Sequence, residues 1–330
     1  MLKMSKFESI INEIKKAESI VISVHVNMDG DAVGSAFSFA AALKEFGKKV
    51  VVALPEVHPY YLSYFCDEYV TETDETFDLA CALDSGDLNR IGKQQAVFER
   101  AKRKVVIDHH VSNPGYGDVN YIKAEASSTS EIIYELIMEL TGKVSKRQAE
   151  QLYAGIITDT GGFKFSNTTP ESFLYSAELL KCGADINRVC IEIYESVSLA
   201  KLKLKSRALD SLKLYEDGKI SSVIITKKDF EETGACVADC EGFSDIGRGV
   251  EGVEAAFSIT IKEKVKVSFR SKYYVDVARV ASRFGGGGHM RASGVTLPGD
   301  TDVDKLVEEI VSALSKEITE HENERSNCNK

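Results

Sequence analysis

The chain has 330 residues and a net charge of −10, with 43% hydrophobic and 28% charged residues. This length predicts about two domains, and the composition is that of a globular protein with a sizeable core. The acidic balance argues against a protein that grips long nucleic acid non-specifically, because such binding needs a basic face to neutralise phosphates. A small phosphorylated ligand in one local pocket is compatible with it.

No apolar run reaches the ~18 residues of a membrane-spanning helix. Residues 1–19 have the pattern of an amphipathic charged helix and not of a signal peptide, so we expect a cytoplasmic protein without membrane contact. The seven cysteines are scattered and odd in number, which argues against a disulfide scaffold. Cys236 and Cys240 form a lone C-x3-C pair, which we interpret as reduced thiols and not as a structural zinc site.

Strands and helices alternate in the first half of the chain. An Ala-rich helix over residues 32–46, with Gly47 as its stop, follows the first strand. Strands are predicted over residues 20–25, 49–54, 78–84 and 104–108. This alternation favours an α/β fold with a mostly parallel N-terminal sheet flanked by helices.

Helices dominate the middle of the chain. Ser128 and Glu131 have the spacing of a capping box, a further helix runs from Lys146 into Asp159, and Pro170 suits the first turn of another. The long, Lys-rich helical stretch that follows is interpreted as a connector with a solvated charged face. Later β-branched strands predict a smaller α/β domain. We therefore expect a catalytic domain over 1–185, a helical linker over 186–210 and a substrate-binding domain over 211–330.

Acidic and imidazole side chains recur where the predicted strands and helices of the first half end. They are His25, Asp29 and Asp31 after the first strand, Asp84 after the third, Asp108, His109 and His110 after the fourth, and Asp159 at a helix end. The carboxyl ends of strands in an open α/β sheet share one edge, where ligands bind. A single Asp after a strand is usually a turn or a helix cap, but that explanation weakens for four such segments together.

Carboxylates gathered at one edge repel each other, and their desolvation adds to the cost. Divalent cations remove this cost. A set of about two His and four Asp without Cys suits two Mn²⁺ ions better than thiolate-preferring zinc, with Mg²⁺ or Co²⁺ as substitutes. Two ions ~3.5–4 Å apart can activate a water and stabilise a leaving oxygen, so this half predicts a two-metal hydrolytic site.

A glycine run in the second half is a candidate anion site. It comprises Gly285, Gly286, Gly287 and Gly288, followed by His289. Its backbone N–H groups could cradle an anion, although such a run alone is more often a flexible loop. It lacks the Lys-Ser/Thr of a P-loop and the order of a dinucleotide fingerprint. Arg270 could offer a fork to a phosphate, or it could be an exposed strand residue.

The motifs resemble those of the DHH phosphoesterase family. The segments HVNMDGDAVGS, ALDSGD, VIDHHVSN and GIITDTGGFKFSNT resemble its successive motifs, and VSFRSKYYVDVARVASRFGGGGHMRASG resembles its associated C-terminal substrate domain. The resemblance covers nearly the whole chain in the family's order. The short two-domain form is similar to the NrnA-type oligoribonucleases, some of which hydrolyse 3′-phosphoadenosine-5′-phosphate.

The resemblance implies a role for each site residue. His25 and Asp29 would hold one Mn²⁺, Asp31, His109 and Asp159 the other, and Asp84 would bridge them. His110 would face the scissile phosphate, and Asp108 would orient an imidazole. Arg270, His289 and the glycine run would hold the nucleotide in an interdomain cleft. One departure is Met28, because the family commonly has Pro before the first Asp.

The implied activity is a Mn²⁺-dependent phosphodiesterase that degrades short RNA or DNA oligonucleotides and dinucleotides to mononucleotides. Dephosphorylation of 3′-phosphoadenosine-5′-phosphate is a further implied activity. Two alternatives stay open, a phosphodiesterase of cyclic or linear dinucleotide messengers (c-di-AMP, pApA) and a non-catalytic nucleotide sensor. A homodimer is compatible with either.

Overall fold

The computed structural model describes residues 5–240 and 242–328. Contacts divide the chain into two compact units, one up to Ser196 and one from Val197 onward. Each unit combines a sheet with helices, which confirms the predicted α/β fold. The predicted linker, residues 186–210, spans the boundary between the units.

The first unit contains one parallel sheet and its surrounding helices. The strands are β1 (Ser19–Ser23), β2 (Lys49–Ala53), β3 (Leu79–Leu83), β4 (Arg103–Asp108) and β5 (Val119–Ile122). The helices are α1 (Glu8–Lys16), α2 (Gly30–Glu45), α3 (Gln95–Arg100), α4 (Thr129–Thr141), α5 (Lys146–Asp159), α6 (Pro170–Lys181) and α7 (Ile186–Cys190). Short 3₁₀ helices lie at Tyr60–Leu62 and Leu88–Gln94, and a π-helical turn lies at Ile191–Glu195.

The first sheet has the strand order β2-β1-β3-β4-β5, and its strands pair in parallel. The chain moves outward from β1 to β2 and then returns past β1 to β3. This reversal makes the gap between β1 and β3 the switch point, where the carboxyl ends of α/β strands offer a crevice for ligands. The half-exposed edge strand β5 was not predicted, because its four residues carry no clear alternation.

Successive residues of β1 point into two different cores, as the pleat of a strand requires. Ile20 and Ile22 lie in a large core with buried side chains of α1, α2, α4 and α5. Val21 lies in a smaller core on the other face, with Phe98 of α3. Helices therefore cover both faces of the sheet, and its edge at the strand ends is left for polar side chains.

Glycines allow α2 and α5 to pack in direct backbone contact. A Cβ atom on Gly34 would lie 2.2 Å from the carbonyl oxygen of Gln151, and one on Gly30 would lie 2.6 Å from Thr158. On α5, a Cβ on Gly155 would lie 2.0 Å from Oγ of Ser130. The first turn of α2 therefore lies beside the last turn of α5, and α5 ends at Asp159.

Most of the predicted helix ends are found in the structure. Asp159 ends α5, Pro170 begins α6, and Gly47 follows α2 with a φ of 82°. The capping box of α4 forms only in part. The Ser128 hydroxyl accepts a hydrogen bond from the Glu131 N–H, but the Glu131 carboxylate bonds to residue 127 instead.

The second unit has a mixed sheet with the order β10-β11-β9-β8-β7-β6, in which only the β7–β8 pair of the described residues is parallel. Its strands are β6 (Lys213–Tyr215), β7 (Ile220–Ile225), β8 (Ala255–Ile261), β9 (Lys264–Ser271), β10 (Gly287–His289) and β11 (Ala292–Pro298). Its helices are α8 (Leu199–Asp210), α9 (Lys227–Thr233), α10 (Phe243–Arg248), α11 (Val277–Arg283) and α12 (Val303–Cys328), with a 3₁₀ turn at Val237–Cys240.

The predicted N-terminal helix begins at Glu8, and the first four residues of its predicted range lie outside the described part of the chain. Among the described residues, no helix combines the length and the apolar character needed to cross a membrane.

We predict that Gly34→Ala destabilises the first unit. The added methyl would overlap the Gln151 carbonyl oxygen, which lies 2.2 Å from the Cβ position. Overpacking of this kind costs about 1–3 kcal/mol, which outweighs the better helix propensity of alanine. The midpoint of urea unfolding should fall accordingly. Ser9→Ala, on the exposed face of α1, is the control and should leave the midpoint nearly unchanged. A Gly34→Ala protein as stable as its parent would contradict the direct contact.

Candidate metal centre

The first three site residues lie in the loop between β1 and α2 and in the first turn of α2, where Asp31 is located. Asp29 caps α2, and its Oδ1 accepts hydrogen bonds from the N–H groups of Asp31 and Ala32 at 3.0 and 3.1 Å. Asn27 has a left-handed φ of 55°, which turns the chain. Met28 is 2% exposed and packs in the large core. In the place where the family commonly has Pro, burial of the Met28 side chain therefore anchors the loop.

His25 is buried at the carboxyl end of β1. Its Nδ1 lies 2.8 Å from the Val26 carbonyl oxygen and 3.0 Å from Nη2 of Arg90. Its Nε2 lies 3.5 Å from Oδ2 of Asp84 and 3.8 Å from Oδ1 of Asp29. The Arg90 guanidinium can only donate, so it bonds to Nδ1 only when that nitrogen carries no proton. In the tautomer that can bind a metal, Nδ1 instead carries the proton and donates it to the Val26 carbonyl, and the Nε2 lone pair faces the two carboxylates.

Asp84 occupies the switch point of the sheet. It is 2% exposed and has a left-handed φ of 53°. Such strain persists at functional sites, where the surrounding structure holds it in place. Oδ2 faces Nε2 of His25, whereas Oδ1 lies 3.4 Å from Nε2 of His109 and accepts a hydrogen bond of 3.1 Å from the Thr129 hydroxyl. The two oxygens of one carboxylate thus face two different imidazoles.

The Asp31 carboxylate is fully buried and lies on the N-terminus of α4. Its two oxygens accept hydrogen bonds from the N–H groups of Thr129 and Ser130 at 2.6 and 2.8 Å. These N–H groups have no partner within their own helix, and the helix dipole favours a negative charge there. Thr129 and Ser130 were missed by the sequence analysis. The capping residue Ser128 marked the helix start, but not the side chain that would meet it.

His109 and Asp159 form the next contact of the cluster. Nε2 of His109 lies 3.1 Å from Oδ2 of Asp159, and Nδ1 lies 3.3 Å from the Ala126 carbonyl oxygen. The Asn167 side chain donates hydrogen bonds of 3.1 Å to the carbonyl oxygens of Ser127 and Asp159. Asn167, another residue that the sequence analysis missed, therefore ties the end of α5 to the segment before α4.

His110 is held by a buried carboxylate. Its Nδ1 lies 2.8 Å from Oδ1 of Asp108, whose Oδ2 accepts a hydrogen bond of 2.6 Å from the Asn113 side chain. Asp108 is fully buried, whereas the His110 side chain is 28% exposed. The Asp108 contact leaves Nε2 as the free nitrogen of the ring. His110 therefore combines a fixed orientation with access to a ligand.

The sequence-predicted residues of the first unit come together as potential metal ligands. Ligand atoms lie within 4.8 Å of one another in each of three groups: His25, Asp29 and Asp84; Asp31, His109 and Asp159; and Asp84, His109 and His110. Among the described residues, these groups contain no cysteine. Cys236 and Cys240 are free and lie in the second unit, and burial raises the pKa of Cys240 to about 11.

The charge of the carboxylates is not balanced by protein groups. Burial raises the pKa of Asp31 well above its ordinary value, and the charges of Asp84 and Asp29 raise it further. The pKa of Asp159 is raised well above its ordinary value by burial and then by Asp31, Asp29 and Asp84. The oxygen and imidazole donors, together with this excess of negative charge, fit divalent ions of the Mn²⁺ or Mg²⁺ type.

The two imidazoles respond to the same negative field. Burial by itself lowers the pKa of His25, but hydrogen bonds and charges from Asp29 and Asp84 outweigh it and raise this pKa well above its ordinary value. For His110, burial also opposes the charged form, and the contact with Asp108 and the charge of Asp84 raise its pKa. Burial alone would raise the pKa of Asp108, but the contacts with His110 and Asn113 outweigh it and lower this pKa.

The predicted substrate residues lie in the second unit. His289, Ala292, Arg270 and Ala256 are paired across β10, β11, β9 and β8, so their side chains share one face of the sheet. The Arg270 Nη1 donates a hydrogen bond of 2.9 Å to the Phe269 carbonyl. The predicted glycine loop is in part strand β10, an edge strand.

Two glycines of the run have a packing role. A Cβ on Gly286 would lie 2.3 Å from the Gly294 carbonyl oxygen, and one on Gly288, with a φ of 143°, would lie 2.6 Å from Cα of Ser293. Gly285 and Gly287 face open space. The hairpin therefore explains Gly286 and Gly288. Gly285 and Gly287 are exposed, and the Gly285 N–H donates to the Ser282 carbonyl at 3.1 Å.

Comparisons with known families place both units. Residues 19–156 match the family described as "DHH family, N-terminal domain", and residues 221–316 match the family described as "DHHA1 domain". The bifunctional oligoribonuclease and PAP phosphatase NrnA of Thermus thermophilus is 32% identical, over 94% of this chain and 94% of its own. The protein of the same name from Bacillus subtilis is 31% identical, over 93% of this chain and 98% of its own.

The fold is also found in a solved structure. The crystal structure of an exopolyphosphatase-related protein from Bacteroides fragilis has a TM-score of 0.87 and 29% identity to this chain. It covers 94% of this chain, which in turn covers 95% of it.

We predict that the metal-free protein loses stability as the pH rises from about 6 to 8. Asp31, Asp159, His25 and His110 all have raised pKa values, so the folded state holds protons that the unfolded chain releases. That contribution is present below the unfolded pKa and is lost as the pH rises through the folded pKa. The lowered pKa values of Asp29 and Asp108 act only in more acidic solution. A bound cation would balance the carboxylate charge in place of the lost protons.

Thermal unfolding of chelator-treated protein at about pH 6 and about pH 8, with and without Mn²⁺, tests this loss of stability. The melting temperature should be lower at the higher pH, and Mn²⁺ should raise it more there. The double variant Asp31→Asn, Asp159→Asn should reduce both the pH dependence and the Mn²⁺ effect. A larger Mn²⁺ effect at the lower pH would contradict the conclusion that protein groups leave the carboxylate charge unbalanced.

Proposed function

The chain belongs to the DHH phosphoesterase family, and from this premise we propose that it hydrolyses short oligonucleotides to mononucleotides with two Mn²⁺ ions. The single observation that carries the proposal is the Asp84 carboxylate, whose two oxygens lie 3.5 and 3.4 Å from the imidazoles of His25 and His109. One carboxylate with ligand groups on both of its sides is the arrangement that a bridged pair of ions needs.

In this proposal, each of the two ion sites uses residues that already lie together. His25 and Asp29 would hold one ion, Asp31, His109 and Asp159 would hold the other, and Asp84 would contribute to both sites. When bound, such ions polarise the phosphoryl oxygens and lower the pKa of a water molecule. The N-terminus of α4 donates two hydrogen bonds to the Asp31 oxygens, which favour the ionised carboxylate against the effect of burial and leave the remaining lone pairs of these oxygens available to a ligand.

His110 moves a proton in the proposed reaction. Burial opposes the charged ring, but the contact with Asp108 and the charge of Asp84 raise the pKa of His110 and so favour its protonated form, and Asp108 fixes the ring through Nδ1. Nε2–H can then donate to an oxygen of the scissile phosphate and protonate the leaving alcohol when the P–O bond breaks. The oxygen of water forms the new bond to phosphorus while a water proton is released to solvent, from which His110 regains its proton. The products are a phosphomonoester and an alcohol.

Short nucleotides are the proposed substrates. The relatives from Thermus thermophilus and Bacillus subtilis are named as oligoribonucleases and PAP phosphatases, which supports both activities for this chain. A net charge of −10 suits a substrate with few phosphates. We propose that Arg270, His289 and the backbone at Gly285 and Gly287 hold its terminal nucleotide. The cytoplasmic location and the homodimer stay predictions.

A substrate panel tests the proposal. Initial rates in Mn²⁺ should be highest for linear dinucleotides and oligonucleotides of a few residues, with measurable release of phosphate from 3′-phosphoadenosine-5′-phosphate. A cyclic dinucleotide as the best substrate would favour the messenger alternative. Binding of a dinucleotide without any product over hours would favour the nucleotide sensor. Preference for long duplex would contradict the short-substrate proposal.

Two substitutions separate metal binding from proton transfer. Asp84→Asn should weaken Mn²⁺ binding and abolish turnover, because it removes the charge that both ion sites share. His110→Ala should lower kcat by about 10²–10⁴-fold, as expected for a lost general acid, with Mn²⁺ binding nearly unchanged. Calorimetric Mn²⁺ titration and dinucleotide hydrolysis provide the two measurements. Turnover by Asp84→Asn close to that of the parent would exclude the two-metal mechanism.

A further inference from the structure

The segment after Asp159 forms a rigid loop beside the candidate metal centre. The N–H groups of Lys164 and Phe165 both donate to the Thr160 carbonyl, at 2.9 and 3.0 Å, and the Gly162 N–H donates to the Ile157 carbonyl at 2.7 Å. The Asn167 side chain binds the Asp159 carbonyl. These bonds fold the loop back onto the last turn of α5 and hold its backbone there.

The ring of Phe165 lies on the backbone of Gly161. A Cβ atom on Gly161 would lie 2.5–2.6 Å from three atoms of this ring, and the φ of Gly161 is 56°. Phe165 is nevertheless 46% exposed. One face of the ring is therefore supported by a glycine, and the rest of the ring is open to solvent. Any side chain at position 161 would displace it.

The glycine that supports the Phe165 ring is close in sequence to Asp159, one of the candidate metal ligands. Gly161 follows Asp159 by two residues, which limits the separation of their Cα atoms to about 7 Å. The neighbouring Phe163 also lies in a strained backbone conformation, with a φ of 64°, and stacks on Phe173 with ring centroids 4.7 Å apart. Strain in a non-glycine residue is typical of sites that bind a ligand.

We infer that Phe165 is a stacking platform for a nucleobase of the substrate, next to the scissile phosphate. This inference rests on the proposed function and deepens it, because it names the part of the substrate that this loop recognises. A phosphodiester substrate carries a nucleoside on each side of the scissile phosphate, and each base has a flat π-face. Stacking on an aromatic ring accepts any base, which suits an enzyme that degrades short oligonucleotides of every sequence.

The support from Gly161 explains why an exposed phenylalanine is kept here. A free aromatic ring would lose rotamer entropy on stacking, whereas a ring already held on the backbone loses little. The same surface offers nothing to an inorganic polyphosphate, which has no apolar face. The platform therefore distinguishes nucleotides from other phosphorylated compounds by affinity, and it takes no part in bond cleavage.

Kinetics of Phe165→Ala test the platform. With a linear dinucleotide, KM should rise roughly tenfold, the expected loss of one stacked base, and kcat should stay within about twofold. Phe165→Trp should restore the parental KM, because indole stacks at least as well. An abasic residue at the stacked position should raise KM for the parent protein, and Phe165→Ala should add no further loss with that substrate. Tyr60→Ala, which truncates another exposed aromatic ring of this unit, is the matched control and should change nothing.

A binding measurement keeps this test separate from the proposed function. Two dinucleotide probes are compared, each with a phosphorothioate linkage to slow hydrolysis and with 2-aminopurine at one of the two positions. Each probe is titrated with protein in Mg²⁺. Stacking on Phe165 should quench the fluorescence of one probe with the parent and Tyr60→Ala proteins, but not with Phe165→Ala. Equal quenching in Phe165→Ala, or none with the parent, overturns the platform. A parent protein that hydrolyses no nucleotide refutes the proposed function, and the quenching experiment still decides the platform.

Discussion

Repulsion between carboxylates at one edge of a parallel sheet is the constraint on which the rest of the first unit depends. Asp29, Asp31, Asp84 and Asp159 lie together, and the pKa of Asp159 is raised by burial and then by the charges of the other three. Such a cluster is costly unless cations or hydrogen-bond donors face it. The fold supplies donors at some oxygens and leaves the others free. The free oxygens, together with His25 and His109, are what a divalent ion requires.

The close packing of three helices is a consequence of this constraint. Asp31 reaches the N-terminus of α4 only because α2, α4 and α5 approach without intervening side chains, through Gly30, Gly34 and Gly155. A Cβ on Gly155 would lie 2.7 Å from an oxygen of Asp31 as well as 2.0 Å from Ser130. The small residues that follow the first site loop thus have an electrostatic purpose. They bring the N-terminus of α4 and the end of α5, with its carboxylate Asp159, next to Asp31.

The sequence was sufficient to predict which side chains gather at the sheet edge, because strand ends can be recognised and parallel strands end together. It was not sufficient to predict the backbone donors. The N–H groups of Thr129 and Ser130 meet Asp31 from 98 and 99 residues away, and nothing local to either segment encodes that contact. Met28 is a similar case, since its burial depends on a core that forms from distant helices. Gly286 and Gly288 suggested an anion loop, but backbone contacts within a hairpin account for them.

The metal centre determines the chemistry but not the substrate. Carboxylates and imidazoles at this edge would serve any phosphoryl compound, so selection must come from surfaces around them. Phe165 meets this requirement, since it lies in the loop that follows Asp159, the last residue of α5, and its ring packs on the Gly161 backbone. The support under its ring comes from Gly161, so one change of residue there could alter specificity without touching the reaction. Separating the reacting groups from the recognising ring by one rigid loop lets the same centre act on different phosphate esters.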